Sequence, residues 1–370
     1  MAPGPFMANR IAPRLLRRGL EIFAVISLLV FGGILFYGNN FQDFFRAMTT
    51  LRWRWVALGL VVASADWIGG GLRLYVLVKH LYPKATLGGC IVSAGINAWA
   101  TMITPSQAGG GPAGIYALKR SGVPIPEGTI AVFMSFVTTI LFFAVAGPVT
   151  IALGAGRSLA EHGVLGGFTL NDLYRLSLGG FILVGLALLG AMTFPRVVHK
   201  AARRVISALE RRGSERLAGK ISVANAGIDR MHASMVAYFK GRGWLALVGA
   251  VVLTGVTYAN KLLAGYIALR ALGLEAPFVD VLLLQTLIIF LLYFAPTPGG
   301  SGLAEVLSAA VMSIYVPRGL TPSYILIWRI LVSYLTVGFG SFVFWRWLKL
   351  AGESGDEGAP SSPQEAVASG

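Results

Sequence analysis

Along the chain, hydrophobic positions gather into long blocks, separated by short loops that are basic or marked by glycine and proline. Six blocks, at 20–38, 54–78, 129–153, 176–194, 244–269 and 323–348, match the roughly 20 residues an α-helix needs to cross ~30 Å of hydrocarbon. Trp53, Trp55, Trp244, Trp345 and Trp347 stand at block ends, where indole rings favour the headgroup zone. The pattern predicts an all-α, polytopic membrane protein. Two further apolar segments, 86–120 and 280–315, are broken in the middle by proline and glycine clusters.

Charge fixes the expected topology. Segment 196–242 holds eleven Lys/Arg against three acids and is short enough for the positive-inside rule to apply. It is expected on the cytoplasmic side, with the N-terminal arginines and the Arg346/Lys349 end. An even number of crossings must then separate these three regions. About six full spans satisfy this if both broken segments enter and leave by one face, as re-entrant hairpins, the first from the cytoplasm and the second from outside. Within 196–242, Ile221, Ala224, Ile228, Met231, Met235 and Phe239 recur at helical spacing, which predicts a basic amphipathic helix on the inner leaflet. Residues 1–19 form a basic cytoplasmic terminus. The transmembrane domain then runs over 20–348: repeat one at 54–153, the basic segment at 195–243 and repeat two at 244–348. Acidic residues with Ser, Pro and Gly predict a disordered tail over 349–370.

Composition agrees with a membrane domain: 55% of residues are hydrophobic and only 13% charged, against about a quarter in soluble domains. Arg10, Arg14, Arg17 and Arg18 precede the first block as in a signal peptide. No small-x-small cleavage site follows, so the block is read as a retained helix. The net charge of +15 sits in loops, where orientation and anionic lipid account for it, and nucleic acid is not an expected partner. Cys90 is the single cysteine, and His80, His162, His199 and His232 are scattered, so neither a metal site nor a cofactor is expected.

The two broken segments resemble each other. Thr104-Pro105-Ser106-Gln107-Ala108-Gly109-Gly110-Gly111-Pro112 answers Thr297-Pro298-Gly299-Gly300-Ser301-Gly302, and aligning Pro105 with Pro298 brings Asp66 level with Asn260 and Lys261. Under the expected topology these are inverted repeats. Interrupted helices at matching positions of two inverted halves point to a midplane substrate site in transporters. Return helices opening near Pro112 and Leu303 would present free N–H groups and a positive dipole end to an anion. Thr104, Pro105, Gly109, Gly110, Gly111, Pro298, Gly299, Gly300 and Ser301 are therefore candidate substrate contacts, against the plainer reading that the glycines let helices pack closely.

These motifs are similar to the transmembrane region of lysylphosphatidylglycerol synthases. The resemblance is carried by Thr104-Pro105 with Gly109-Gly110 and Leu118, by Pro296-x-Pro298-Gly299-Gly300-x-Gly302-x-x-Glu305, and by Arg329 with Tyr334 and Gly338. It spans about residues 20 to 348 and departs from the family at Gly111 and Gly114, where many relatives carry Glu and Arg. The resemblance implies lipid translocation, or an accessory role beside an enzyme of envelope lipid or glycan assembly. In the synthase branch a soluble aminoacyl-transfer domain follows this region; the short tail after residue 348 is not expected to supply one, so the resemblance does not imply lysyl transfer.

Charged residues inside apolar blocks cost on the order of 2.5–3.5 kcal/mol each at a helix centre, which makes them functional candidates. They are Asp66, Arg73, Lys261, Glu305 and Arg329. Asp66 and Arg73 lie seven residues apart, about 10 Å along one helix, too far for a direct pair. Lys261 is expected to pair with Asp66 or to serve the substrate. Glu305 is either a dipole-compensating residue behind Gly302, a titratable gate, or the partner of Arg329. Arg329, whose guanidinium suits bidentate phosphate binding, is the foremost substrate candidate. The favoured function is a translocator of membrane lipids, with an anionic phospholipid or polyprenyl-phosphate-linked molecule as substrate, in the bacterial inner membrane. The alternative is an accessory subunit of an envelope-biosynthesis enzyme. No catalytic pair or triad speaks for an enzyme.

Overall fold

The structure is a computed structural model; it describes residues 13–37, 41–152, 243–293 and 295–356, with isolated positions between 163 and 241. The expected span 176–194 and the amphipathic helix within 196–242 lie outside the described residues, apart from isolated positions.

Eleven helices carry the described chain: α1 (Pro13–Tyr37), α2 (Phe41–Thr49), α3 (Trp53–Leu81), α4 (Leu87–Ile103), α5 (Gly110–Arg120), α6 (Ile125–Ala152), α7 (Gly243–Ala271), α8 (Phe278–Tyr293), α9 (Leu303–Met312), α10 (Thr321–Arg329) and α11 (Leu335–Asp356). A two-strand antiparallel ribbon pairs Gly163–Leu165 with Phe168–Thr169. Five described stretches are long and apolar enough to cross a bilayer: Arg17–Phe36, Trp53–Leu81, Ile125–Ala146, Gly243–Ala271 and Arg318–Arg346. This is a multi-pass membrane protein.

The two halves share an order of elements. A 29-residue helix, a 17-residue helix, a 3-10 turn with proline first and an 11-residue helix make α3, α4, Pro105–Gln107 and α5. The second half repeats this with 29, 16, 3 and 10 residues in α7, α8, Pro298–Gly300 and α9. In both turns the middle residue is left-handed, Ser106 at φ 51° and Gly299 at φ 57°. Glycine adopts that conformation freely, whereas serine does so under strain.

The long helices α3 and α7 run antiparallel along a shared seam. The Arg52 N–H donates to Ala271 O at one end (2.9 Å), and Tyr238, just before α7, donates its hydroxyl to Leu77 O near the other (2.7 Å). Small residues bring the two helices together: a Cβ on Gly69 would stand 3.1 Å from Thr257 N, and one on Gly59 3.1 Å from Ile267 Cγ2. Close approach through small residues is the usual packing solution in lipid, where no hydrophobic force acts between helices. Gly71 against Ile91 and Gly95 against the Trp67 ring lock α4 onto α3 in the same way.

Each broken segment folds back on itself. Gly89 at the start of α4 lies against Ser121 at the end of α5, and Asp280 at the start of α8 accepts from the Tyr315 hydroxyl beyond α9 (3.1 Å). The two turns meet, and a Cβ on Gly299 of the second would come within 2.7 Å of Met102 O in α4 and 2.8 Å of Phe23 Cε2 in α1. The first hairpin ends among Lys79, Lys84, Lys119, Arg120 and Lys240; the second ends among Arg270, Glu275, Asp280 and Arg318.

Three features depart from the sequence expectation. The block 323–348 is not one α-helix, since a π-helical turn over Ile330–Tyr334 separates α10 from α11. Its widened turn leaves Leu331 O for Asn260 Nδ2, at 2.9 Å. Helix α11 continues to Asp356, into the stretch expected to be disordered, because an established helix gains a bond with each added residue. Helix α2 was not expected: its Phe44 ring packs on Phe31 of α1, its Ala47 is buried, and Gly319 sits against Asp43.

Candidate functional site

The charged residues of the apolar blocks form two centres. The first is built on α9 and α10. Gly302, at φ 84°, caps α9, and Glu305 Oε2 accepts from the Gly302 N–H at 2.8 Å, so the carboxylate occupies the helix N-terminus. Arg329, at the end of α10, reaches it with two bonds: Nε to Oε1 at 2.9 Å and Nη2 to Oε2 at 2.6 Å. Its remaining N–H groups donate to Gly299 O (3.3 Å), Gly300 O (3.3 Å) and Ser333 Oγ (3.0 Å). A guanidinium has five donors, and here protein atoms engage all of them. Glu305 is 0% and Arg329 1% exposed.

This arrangement revises two expectations for the second turn. Arg329, read as the foremost substrate contact, is saturated by its own protein. The Gly300 and Ser301 N–H groups, expected to be free for an anion, bond within the turn to Thr297 O and Pro298 O. Glycine serves the conformation here, since Gly299, Gly300 and Gly302 all have positive φ. Pro298 opens the 3-10 turn and is buried, while Ser301 is buried with its hydroxyl unpartnered.

At the first turn, Thr104 Oγ1 donates to Ala100 O (2.7 Å) and accepts from the Gly109 N–H (2.9 Å), which ties the turn to α4. Cβ atoms at Gly109, Gly110 and Gly114 would press on Thr104, Thr101 and Asn97, so these glycines let α5 pack on α4. Gly111 faces open space, and Pro105 and Ser106 are exposed. Counting from the aligned prolines, Pro112 stands where the second half has Glu305, and no carboxylate lies in the first turn of α5.

The second centre lies on the α3–α7 seam. Lys261 Nζ pairs with Asp66 Oδ2 at 3.4 Å and rests over the Tyr258 ring, 4.9 Å from its centroid. The Tyr258 hydroxyl bonds the Tyr293 hydroxyl at the end of α8. Phe143 of α6 packs edge-on against Tyr258, with centroids 5.0 Å apart, and holds the ring in place. Two helical turns along the seam, Arg73 Nη1 donates to Thr139 Oγ1 (3.0 Å) and Thr254 Oγ1 (3.4 Å). Both threonines donate their own protons to helix carbonyls, Thr139 to Ser135 O and Thr254 to Ala250 O, and so can accept from Arg73. Arg73 Nε is buried with no acceptor. Arg73 and Asp66 do not pair directly, as their spacing predicts.

Sequence reasoning named Asp66, Arg73, Lys261, Glu305 and Arg329, and the structure sorts them into these two centres. It did not name Tyr258, Tyr293, Thr139, Thr254 or Ser333. Tyrosine and threonine are unremarkable within apolar spans, and only their alignment with Asp66 and Arg73 across the seam sets them apart. Gln285 also went unread: it accepts from Trp328 Nε1 at 2.8 Å and donates to the Tyr324 hydroxyl at 3.3 Å, fixing α8 to α10.

Comparison with known proteins fits this architecture. The chain is 21% identical to a UPF0104 membrane protein of Archaeoglobus fulgidus over 296 residues, which covers 78% of this chain and 85% of that one. The profile of the lysylphosphatidylglycerol synthase transmembrane region matches residues 20–340. With both hairpin turns and both charged centres inside the matched range, the chain belongs to the lysylphosphatidylglycerol synthase transmembrane-region family.

Proposed function

We propose that the protein is a translocator that moves a lipid, or a lipid-linked molecule, with an anionic headgroup between the leaflets of a bacterial inner membrane. Its two halves act as inverted repeats and its two broken segments as re-entrant hairpins, with transport rather than bond chemistry as the activity. One observation carries this reading: two helix–turn–helix units of matching length start and finish at opposite ends of the bundle, and their turns meet, the second buried and the first partly exposed. Inverted pairs of broken helices are the arrangement by which transporters expose one site alternately to each side, one half rocking against the other. Irregular backbone at membrane depth is tolerated where protein or a wet cavity receives its polar groups. The end holding Lys79, Lys84, Lys119, Arg120 and Lys240 is taken as cytoplasmic, which places both termini inside.

The test is reconstitution into liposomes with tail-labelled phosphatidylglycerol and an impermeant quencher. Wild-type protein is expected to expose the inner-leaflet label that protein-free vesicles protect. Equal protection with and without protein, across phosphatidylglycerol, phosphatidylethanolamine and a polyprenyl phosphate, rejects the reading. Orientation is checked in a Cys90→Ala background. Ser121→Cys is expected to resist an impermeant thiol reagent in intact cells, and Glu275→Cys to react. Labelling of Ser121→Cys from outside rejects the hairpin and the inverted repeat together.

A further inference from the structure

The seam centre carries more positive than negative charge. Asp66 is the one carboxylate, among the described residues, that bonds to either Arg73 or Lys261, and a single anion faces two cations. The other intramembrane arginine, Arg329, is neutralised by Glu305 and contributes nothing to the imbalance. A net charge of one proton held among apolar helices is costly, and such charges persist where a partner or substrate meets them.

The donors left over have a definite arrangement. Arg73 uses Nη1 alone, and its Nε is buried without an acceptor. The Lys261 side chain is 19% exposed and its single carboxylate partner stands at 3.4 Å, so its ammonium keeps room for a second oxygen. Along α7, Tyr258 stands between Thr254, which accepts from Arg73, and Lys261, which rests over its ring, and the Tyr258 hydroxyl bonds that of Tyr293 on α8. Guanidinium, ammonium and hydroxyl groups brought to one seam by α3, α7 and α8 suit a group with several oxygens, carrying one negative charge in the resting balance. That chemistry is a phosphate ester.

We infer that Arg73 and Lys261, with Tyr258 and Tyr293, form a binding site for one phosphate group on the α3–α7 seam, and that Asp66 holds Lys261 when the site is empty. The inference rests on the translocator reading for its role in transport, but the site can be measured by itself. It also places recognition away from the proline–glycine turns, at the crossing of the two halves, where a rocking motion would pass it from one side to the other.

Binding of dioctanoylphosphatidylglycerol to the purified full chain in detergent, followed by native mass spectrometry, tests it. Dioctanoylglycerol serves as the phosphate-free control, and inorganic phosphate as competitor. Loss of charged hydrogen bonds predicts a drop in affinity of about tenfold for Arg73→Gln and for Lys261→Gln. Asp66→Asn is expected to tighten binding, because the internal competitor for Lys261 is gone. A purely structural role for Asp66 cannot give that sign. Should Arg73→Gln fail to insert, Lys261→Gln and Asp66→Asn carry the test, with monodispersity on gel filtration as the folding check. Competition by inorganic phosphate assigns the site to the phosphate alone, and binding of the lipid without such competition assigns it to the headgroup within its lipid; both support the inference. Equal binding of dioctanoylglycerol, or unchanged affinity in folded Lys261→Gln together with unchanged or weakened affinity in Asp66→Asn, overturns it. Lipid movement in liposomes that ignores these substitutions would overturn the site's role in transport and leave the translocator standing. Charge-dependent binding without any lipid movement would do the reverse.

Discussion

The two intramembrane arginines show two ways of keeping a guanidinium inside a bundle. Arg329 has every donor engaged by Glu305, Ser333 and the turn carbonyls of Gly299 and Gly300, and it is closed off. Arg73 has one nitrogen engaged by two threonines, and its nearest carboxylate is committed to a lysine. The first centre clamps the second broken turn to α10. The second is under-bonded and over-charged, which suits a site that receives something. Burial alone would have ranked Arg329 as the functional residue, whereas counting its bonds reverses that order.

The largest expected effect comes from breaking the closed pair. Glu305→Gln strands a buried guanidinium and removes an acceptor from the Gly302 N–H, at a cost of roughly 3–5 kcal/mol. Most of the folded protein should be lost, as read by the monodisperse fraction after solubilisation. Adding Arg329→Gln should restore part of it, since the uncompensated charge is then gone. Asn260→Leu is next. It removes the donor to Leu331 O in the π-helical turn and should cost about 1–3 kcal/mol for a buried carbonyl left unpaired. Denaturant titration of the solubilised protein measures it. The smallest effect is expected at the open centre. Lys261→Gln keeps an amide donor for Asp66 in place of the ammonium 3.4 Å away, and should cost about 1 kcal/mol. A loss as large as that of Glu305→Gln would show that the two centres are alike, and the comparison would fall.

Much of this arrangement is legible in the sequence, for reasons tied to particular residues. Five spans could be read because lipid demands unbroken apolar runs, and the two turns because Pro105 and Pro298 with their glycines cannot lie in a continuous helix. The pairing of Lys261 with Asp66, and of Arg329 with Glu305, could be named because so few charges stand in these blocks that the options are short. Other features leave no such mark. Nothing in Ile330–Tyr334 signals a π-helical turn, since Asn260 from a distant helix supplies the stabilising bond. Helix α2 is only nine residues long and too mixed to register as a span. Glycines at Gly110 and Gly300 look alike in sequence, yet one makes room for Thr101 and the other adopts a left-handed backbone.

The π-helical turn also separates two environments along a single rod. A helix that gains one residue in a turn rotates everything after it by about 100° relative to everything before it. Upstream, Tyr324, Ile325, Ile327, Trp328 and Arg329 are all buried; downstream, Phe339, Phe342 and Trp345 stand more than half exposed, as lipid-facing side chains do. The extra residue acts as a phase shift, setting the interior face and the lipid face independently. Deleting one residue between Ile330 and Tyr334 would therefore change the angle between Arg329 and the lipid-facing aromatics, whereas a deletion near Asp356 would leave that angle untouched.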